Sequence, residues 1–174
     1  VRIESTNKII YLNVENVLEL WYGGLFMNNV EALCEQVKSL VMEENFEQAI
    51  QVCEKIQKDN PKSNFALFNK AYSLQSLEKL EDALENYELL LKNHNESEDP
   101  STALYNKGLV HFHLGQYAKA ELCFRQVIDN HYDDPDAWFM RGESLNNLEE
   151  YVLAEACFKH AHELDGNSST SEQK

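Results

Sequence analysis

The sequence predicts an all-α fold, a solenoid of helix-turn-helix repeats, and a recurring pattern of residues carries this prediction. One marker position returns at intervals of 34, 37 and 34 residues, and an alanine follows each marker twelve residues later. A bulky apolar or aromatic residue stands three places before each alanine. A fixed period of this size indicates an array of similar units, none of which buries its apolar face alone. The markers are Val37, Ala71, Gly108 and Gly142, and the alanines are Ala49, Ala83, Ala120 and Ala154.

The third unit shows how each unit divides into two helices. Helical spacing of apolar and small residues runs from Leu104 to His111, residues 114–116 interrupt it, and a second helical run extends from Tyr117 to Val127. This pattern is typical of helix, tight turn, helix. We call the first helix of each unit helix A and the second helix B.

Small residues at the marker position predict a close approach of the two helices in a unit. We expect the marker residue, such as Gly108, to face the alanine of helix B, such as Ala120. A large side chain at either place would force the pair apart and cost a few kcal/mol, on the order of an overpacked core.

The period also sets the boundaries of the units. Prolines at 61, 100 and 135 stand between units, because proline ends one helix and suits the first turn of the next. Residues 93–100 are polar and predict a longer exposed loop before the third unit. The predicted segments are 1–29 as an N-terminal helix or cap, 30–63, 64–97, 101–134 and 135–168 as four repeats, and 169–174 as a disordered tail.

Residues 1–29 do not follow the period. An apolar stripe at helical spacing, from Ile10 to Trp21, favours a helix over about residues 7–22, which Gly23 and Gly24 would end. This helix would cap the first unit or form a degenerate preceding repeat. The alternatives are that it lies in the groove of the chain or docks on a second copy, or that alternating apolar residues from Ile10 to Val14 form a short strand.

These residues resemble the tetratricopeptide repeat family, whose pattern runs Trp-x2-Leu-Gly-x2-Tyr and then Ala, Phe, Ala and Pro. The fourth unit carries the fullest match, and the first unit departs most, with Val37 at a normally small position and Cys53 in place of an aromatic residue. In the third unit, His111 stands at a normally apolar position. The fourth unit matches through Trp138, Gly142, Leu145, Tyr151, Ala154, Phe158 and Ala161.

The resemblance implies an α-α superhelix whose A helices line a concave groove that binds peptides. Aromatic residues are frequent at the implied groove positions, and asparagines recur at one of them in adjacent units. Aromatic rings dominate binding hot spots, and an amide side chain both donates to and accepts from a peptide backbone. The alternative is that the aromatic residues pack between A helices and the asparagines bond only to water. The predicted groove residues are Phe65, Phe68, Asn69, Tyr72, Tyr105, Asn106, Leu109, Phe112, His113, Phe139 and Met140.

One subclass of the family binds acidic C-terminal tails of heat-shock chaperones through a clamp of basic residues and asparagines, and this chain does not match it. Phe68 and Tyr72 stand where Lys and Asn are expected, and Met140 replaces a basic residue. With a net charge of −15, the chain is expected to prefer a hydrophobic or basic segment. The same charge disfavours nucleic acid, and no apolar run reaches the roughly 18 residues that span a bilayer.

The sequence carries no motif that indicates catalysis, so we expect a protein that is not an enzyme. It has no P-loop, dinucleotide fingerprint, GxSxG or HExxH motif, and no cofactor or metal site is predicted. Its four cysteines contain no CxxC pair, and Cys123 and Cys157 occupy the same place in consecutive units, which predicts small buried side chains. Reduced cysteines favour a cytoplasmic location.

Three functions follow from this sequence. The first is an adaptor or scaffold that binds a protein segment in the groove. The second is a structural module that forms homo-oligomers through the N-terminal helix or an uncapped C-terminal face, since repeat arrays need a polar terminal cap and none is evident after the fourth unit. The third is a regulatory arm of an enzyme whose catalytic domain lies elsewhere.

Overall fold

A computed structural model of the chain describes residues 2–5, 8–11, 29–93 and 99–171. Its helices confirm the predicted all-α solenoid of helix-turn-helix repeats. Two short strands near the N-terminus, β1 (Arg2–Ser5) and β2 (Lys8–Tyr11), are the exception among the described residues. The helices are α1 (residues 29–42), α2 (Phe46–Asp59), α3 (Asn64–Ser76), α4 (Leu80–Asn93), α5 (Ser101–His113), α6 (Tyr117–Asn130), α7 (Pro135–Asn147) and α8 (Tyr151–Ser171).

The contacts between helices show which side of the array is concave. Each helix from α2 to α7 packs on the next one in sequence. In addition α3 touches α5 and α5 touches α7, whereas no such contact joins α4 to α6 or α6 to α8. The A helices are therefore closer together than the B helices, so the surface formed by α3, α5 and α7 is the concave side. We call this surface the inner face.

Each unit has a core in which the marker residue meets helix B. The alanines at 49, 83, 120 and 154 are buried, as the pattern predicts. The partner of the marker glycine differs from the prediction, because a Cβ on Gly108 would lie 2.8 Å from Phe124 Cε1 and 3.2 Å from Cys123 Cβ. Gly108 therefore faces the Phe124 ring more closely than Ala120, since the ring extends from the next turn of α6.

The turn between helices A and B has the same backbone shape in all four units. The residue seven places after each marker has a positive φ, at 57°, 59°, 69° and 64° in chain order. Only the third unit places glycine there, although this left-handed region disfavours other residues. The four residues are Glu44, Glu78, Gly115 and Glu149.

Ion pairs join adjacent units at a repeated place. The residue immediately before the marker is basic in the second, third and fourth units, and it contacts a glutamate on helix B of the preceding unit. In the last pair both partners are largely buried, whereas the glutamates of the other two pairs are exposed. The pairs are Lys70 with Glu54 at 2.9 Å, Lys107 with Glu88 at 3.5 Å, and Arg141 with Glu121 at 2.9 Å.

The predicted N-terminal helix is wrong over residues 8–11. Lys8–Tyr11 forms a strand that pairs antiparallel with Arg2–Ser5, with Ile3 opposite Ile10. Ile9, Ile10 and Tyr11 all favour extended backbone, which outweighs the helical spacing of the apolar stripe here. The remainder of that predicted helix, residues 12–22, lies outside the described residues, as do residues 94–98 of the predicted loop.

The C-terminal end also differs from the prediction. Helix α8 continues to Ser171, so residues 169–171 of the predicted disordered tail are helical, and residues 172–174 lie outside the described part. A helix that is already nucleated gains one hydrogen bond for each residue it adds, so it extends through polar residues that predict coil on their own. Gly166 is accommodated within the helix despite its unfavourable propensity.

Candidate functional site

The predicted groove residues of the second unit all lie on α3. Phe65 and Phe68 are half-buried and pack against the apolar cores at its two sides. Phe68 makes an edge-on contact with Tyr87, with ring centroids 6.2 Å apart. Tyr72 is 37% exposed and makes a similar contact with Phe46 of the first unit at 6.3 Å. These rings thus both pack and present surface.

The predicted residues of the third unit lie on α5. Tyr105 is half-buried and packs edge-on against Phe124, with ring centroids 5.5 Å apart. Phe112 contacts Tyr117 at 5.3 Å and His113 at 6.4 Å. Leu109 is half-buried and His113 is exposed. The α5 residues therefore combine packing inside the unit with partial exposure.

The predicted residues of the fourth unit lie on α7. Phe139 is 50% exposed, and its ring packs against Phe158 with centroids 5.4 Å apart. Met140 is half-buried, and its carbonyl accepts a hydrogen bond from Ser144 Oγ at 2.8 Å. Phe139 is the more exposed of these two apolar side chains.

The two predicted asparagines make the same hydrogen bond in adjacent units. Asn69 Nδ2 donates to the Phe65 carbonyl at 2.8 Å, and Asn106 Nδ2 donates to the Thr102 carbonyl at 3.0 Å. The donor half of each amide is thus used inside its own helix. The amide oxygen is the acceptor that each side chain offers to a ligand.

The structure adds an acidic cavity that the sequence interpretation missed. A cleft of about 360 Å³ opens where the start of α5, the end of α6 and the start of α7 meet. Asp99 and Asp134 are sequence neighbours of prolines, so their only signal in the sequence was that of helix starts. The residues that line the acidic cavity are Asp99, Ser101, Thr102, Tyr105, Val127, His131, Asp134 and Asp136.

Hydrogen bonds hold two of the carboxylates in place. Asp99 Oδ1 accepts from the Ser101 backbone N–H at 2.9 Å, and Asp99 Oδ2 lies 2.7 Å from His131 Nε2. The backbone N–H of Ser101 is the largest cause that lowers the pKa of Asp99 to about 2, and the Ser101 hydroxyl and His131 add to it. Asp134 caps α7 by accepting from the Ala137 N–H at 3.0 Å.

The Tyr105 hydroxyl lies within the electrostatic influence of two of the carboxylates. Burial raises the pKa of the Tyr105 hydroxyl, and the negative charges of Asp136 and Asp134 raise it further. Two carboxylates at the start of α7 therefore act on a ring of α5. Because Asp99 stays ionised at neutral pH, the cavity carries negative charge.

A smaller apolar cavity adjoins the acidic one. It has a volume of about 170 Å³ and lies between α3, α4 and α5. Asp99 and Thr102 line both cavities, so the two cavities adjoin. The residues that line the apolar cavity are Asn64, Phe68, Leu90, Leu91, Asp99, Pro100, Thr102 and Ala103.

Two further features concern metal binding and the membrane, in the described ranges alone. Within them, no group of three or more His, Cys, Asp or Glu residues is arranged to hold a metal ion. No helix in the same ranges is both long and apolar enough to span a bilayer. All four cysteines are free thiols, and Cys123 and Cys157 are buried as predicted.

Sequence profiles of the tetratricopeptide repeat family match residues 62–132 and 114–168. The two matches together run from the end of the first unit to the end of the fourth. The chain belongs to the tetratricopeptide repeat family, whose members generally act as interaction modules that bind proteins. No curated protein sequence matches the chain.

Solved structures of other repeat proteins share this fold. The chain is similar to a crystal structure of MamA, at 18% identity and a TM-score of 0.76, over 92% of this chain and 99% of that one. MamA from Desulfovibrio magneticus RS-1 aligns at 18% identity and a TM-score of 0.73, over 79% and 76%. A tetratricopeptide repeat protein from Parabacteroides merdae aligns at 22% identity and a TM-score of 0.71, over 80% of this chain and 54% of that one. At these identities the likeness shows the fold.

Proposed function

We propose that this chain is a non-enzymatic adaptor or scaffold that binds a hydrophobic or basic peptide segment along its inner face. The observation that carries the proposal is the partial exposure of aromatic rings on successive A helices, with Tyr72 at 37% and Phe139 at 50%. Rings that served only to pack adjacent helices would be buried, as Tyr87 and Phe124 are. Exposed aromatic surface offers contact area with little loss of side-chain freedom on binding.

Two other features support a peptide as the ligand. The acceptors of Asn69 and Asn106 stand at the same place in adjacent units, so they suit the regularly spaced N–H groups of an extended chain. The acidic cavity supports the basic character of the segment. We also propose a cytoplasmic location, because the four cysteines are free thiols.

The test is a screen of a random peptide library for binders, followed by affinity measurements on variants. We expect Phe139→Ala, and the double variant Asn69→Ala with Asn106→Ala, to weaken the selected peptides by about tenfold or more, as for residues at a binding hot spot. The thermal unfolding of these variants should remain close to that of the wild type.

The chain offers a matched control for each substitution. Asn86 on α4 makes the same bond to its own helix, from Nδ2 to the Asp82 carbonyl at 2.8 Å, but lies on a B helix. Leu122 on α6 is 43% exposed and lies on a B helix as well. Asn86→Ala and Leu122→Ala should leave binding unchanged. Equal losses in the controls and the inner-face variants would contradict the proposal.

Self-assembly is a second candidate, and one observation favours it. Tyr151 at the start of α8 is 61% exposed, whereas its counterparts in the preceding units, Phe46, Leu80 and Tyr117, are half-buried. A second copy that covered Tyr151 would complete this contact. Light scattering coupled to size exclusion tests this on the full chain and on Tyr151→Asp. A mass above 20.1 kDa that falls in the variant supports assembly, and a monomer at high concentration excludes it.

A further inference from the structure

We propose that Cys34 and Cys53 form a redox-sensitive thiol pair in the first unit. The pair closes to a disulfide bond between α1 and α2 when a low-molecular-weight disulfide, such as oxidised glutathione, is present. The chemistry is independent of the proposed peptide binding, because it needs only the two thiols and the hairpin that carries them.

The repeat places the two cysteines opposite each other. Cys34 stands three residues before the marker of the first unit, and Cys53 stands sixteen residues after it. In each of the other units the same two places hold aromatic residues in contact, with ring centroids 6.2, 5.5 and 5.4 Å apart in chain order. The first unit therefore has two thiols where the other three have a contacting pair of rings. The ring pairs are Phe68 with Tyr87, Tyr105 with Phe124, and Phe139 with Phe158.

The two thiols also share one apolar core. Cys53 is fully buried in the core of the first unit, and Cys34 packs against that core from α1. Burial is the largest cause that raises the pKa of Cys53 to about 12, and Cys34 is among the groups near enough to act on that pKa. Packing and electrostatics thus agree with the position that the repeat gives each cysteine.

The hairpin holds the two cysteines at the same level. Cys34 lies eight residues before the end of α1, and Cys53 lies seven residues after the start of α2. Since the two helices run in opposite directions from a tight turn, these distances place both residues equally far from it. The turn itself is fixed, because the Asn45 N–H donates to the Leu40 carbonyl at 2.8 Å.

The difference in exposure gives the two thiols different roles. Cys34 is half-buried and can be reached, so its thiolate attacks one sulfur of oxidised glutathione, and one glutathione thiolate leaves. The Cys53 thiolate then attacks the Cys34 sulfur of this mixed disulfide, and the second glutathione leaves. The two protons of the protein thiols pass to the two released glutathione thiolates. Two protein thiols are thereby oxidised to one disulfide, and one oxidised glutathione is reduced to two molecules of glutathione.

The exchange is slow, so it is best measured at equilibrium. Burial is the largest cause that raises the pKa of Cys34, as it is for Cys53. The thiolate is the reacting form, and only a small fraction of each thiol is ionised at neutral pH.

The other two cysteines provide a matched control pair. Cys123 and Cys157 are buried thiols as well, and they lie on α6 and α8. No contact joins α6 to α8, so the two Cα atoms are farther apart than the roughly 4.4–6.8 Å that a disulfide spans. This pair should close only when the chain unfolds.

The experiment equilibrates the protein with about 0.1 mM glutathione, over buffers of increasing oxidised fraction, in native buffer and in concentrated urea. The double variant Cys123→Ala with Cys157→Ala keeps the first-unit pair, and Cys34→Ala with Cys53→Ala keeps the control pair. After an acid quench, mass spectrometry separates the reduced protein, the mixed disulfide with glutathione, and the internal disulfide, which has lost two hydrogen atoms. Non-reducing electrophoresis detects linked dimers, and thermal unfolding verifies that each variant folds.

We expect the first-unit pair to close in the native protein. The internal disulfide should exceed the mixed disulfide by at least about tenfold, because a thiol held nearby acts as a local concentration well above that of glutathione. In urea this ratio should fall at least about fivefold, since the chain between the cysteines becomes a flexible loop. The control pair should show the opposite order, with less closure in native buffer than in urea.

A native ratio for the first-unit pair that is no higher than its ratio in urea would overturn the proposal. Oxidation of Cys34 that gives only the mixed disulfide or linked dimers would overturn it too, as would equal closure of both pairs in native buffer. Peptide mapping of the oxidised wild type makes the same comparison without substitutions, so a variant that fails to fold leaves the test intact.

Discussion

Phe124 fills the space that Gly108 leaves open: a Cβ on this glycine would lie only 2.8 Å from the Phe124 ring. The fourth unit repeats the relationship, with Gly142 against Phe158 at 2.6 Å. In the first unit the same two places hold Val37 and Cys53, and both are fully buried in one core. The two departures from the family pattern in this unit therefore compensate each other, because a larger marker residue accompanies a smaller partner.

This compensation predicts the result of moving the Val37 and Cys53 pair into the third unit. Gly108→Val alone should destabilise the protein by about 1–3 kcal/mol through overpacking. Phe124→Cys alone should cost about 3–5 kcal/mol through a cavity. The double variant should be more stable than the sum of the two losses by at least about 1 kcal/mol, as measured by urea unfolding.

A control pair tests whether this effect belongs to one unit. Gly108→Val combined with Phe158→Cys changes residues of two different units, so their losses should simply add. Additive losses in the Gly108 and Phe124 pair as well would show that the two side chains do not share one space.

The left-handed turn predicts a stabilising substitution. Glu149 has a φ of 64°, and Gly115 holds the same place with a φ of 69°. Glu149→Gly should raise the free energy of unfolding by about 0.5 kcal/mol, because it removes the steric cost of this region, and Gly115→Ala should lower it by about 1 kcal/mol. Urea unfolding measures both. Glu155→Gly is the control and should destabilise, since Glu155 is exposed inside α8, where glycine is unfavourable.

His111 predicts a loss of stability at acidic pH. It is 4% exposed, its Nδ1 donates to Gln116 Oε1 at 2.9 Å, and burial lowers its pKa below the ordinary value of 6.5. The unfolded chain therefore binds a proton that the folded chain resists, so stability falls as the pH drops below about 6.5. His111→Leu should remove this part of the pH dependence, because the neutral side chain binds no proton.

The other units support leucine as the replacement. Leu40, Leu74 and Leu145 occupy the place of His111, and all three are buried. We expect the advantage of His111→Leu over the wild type to grow between about pH 6.5 and pH 5 in urea unfolding measurements. His113→Leu replaces an exposed histidine of the same helix and serves as the comparison variant. An unchanged slope in His111→Leu would contradict the assignment.

Burial predicts the order in which cysteines react. Burial raises the pKa of Cys53 to about 12, and Cys53 is fully buried, whereas Cys34 is half-buried. Iodoacetamide at about pH 8 should therefore alkylate Cys34 at least about tenfold faster than Cys53 in the native protein, because the thiolate is the reacting form. Mass spectrometry of peptides gives the two rates. In denaturant the rates should converge, and equal rates in the native state would contradict the prediction.

The period predicted the fold well because it depends on spacing alone. The alternation of two helices follows from the recurrence of Gly108 and Ala120, whatever the side chains touch. The contact between Gly108 and Phe124 was not predicted, since sequence spacing does not give the reach of a ring from one turn to the next. Lys8–Tyr11 forms a strand although the spacing of its apolar residues also suits a helix. Its β-branched residues favour the extended backbone.

The candidate site was also predicted only in part from the sequence. The sequence placed Tyr72 and Phe139 on A helices, and the structure finds them partly exposed there. The acidic cavity was missed, because Asp99 and Asp134 are 35 residues apart and each looks like an ordinary residue before a helix. Only the packing of three helix ends brings their carboxylates together. The hydrogen bonds of the asparagines to their own helices were also beyond what residue type indicates.

The matching of marker residue and partner within one unit makes each hairpin an interchangeable part. A whole unit could be transferred to another position, and Val37 would still travel with Cys53 and Gly108 with Phe124. A recombination point inside a hairpin could instead join the helix that carries Val37 to a helix B that carries a phenyl ring. The two bulky side chains would then overlap. Shuffling of this chain should therefore succeed between units, and it should fail where a crossover inside a hairpin joins the first unit to the third or the fourth.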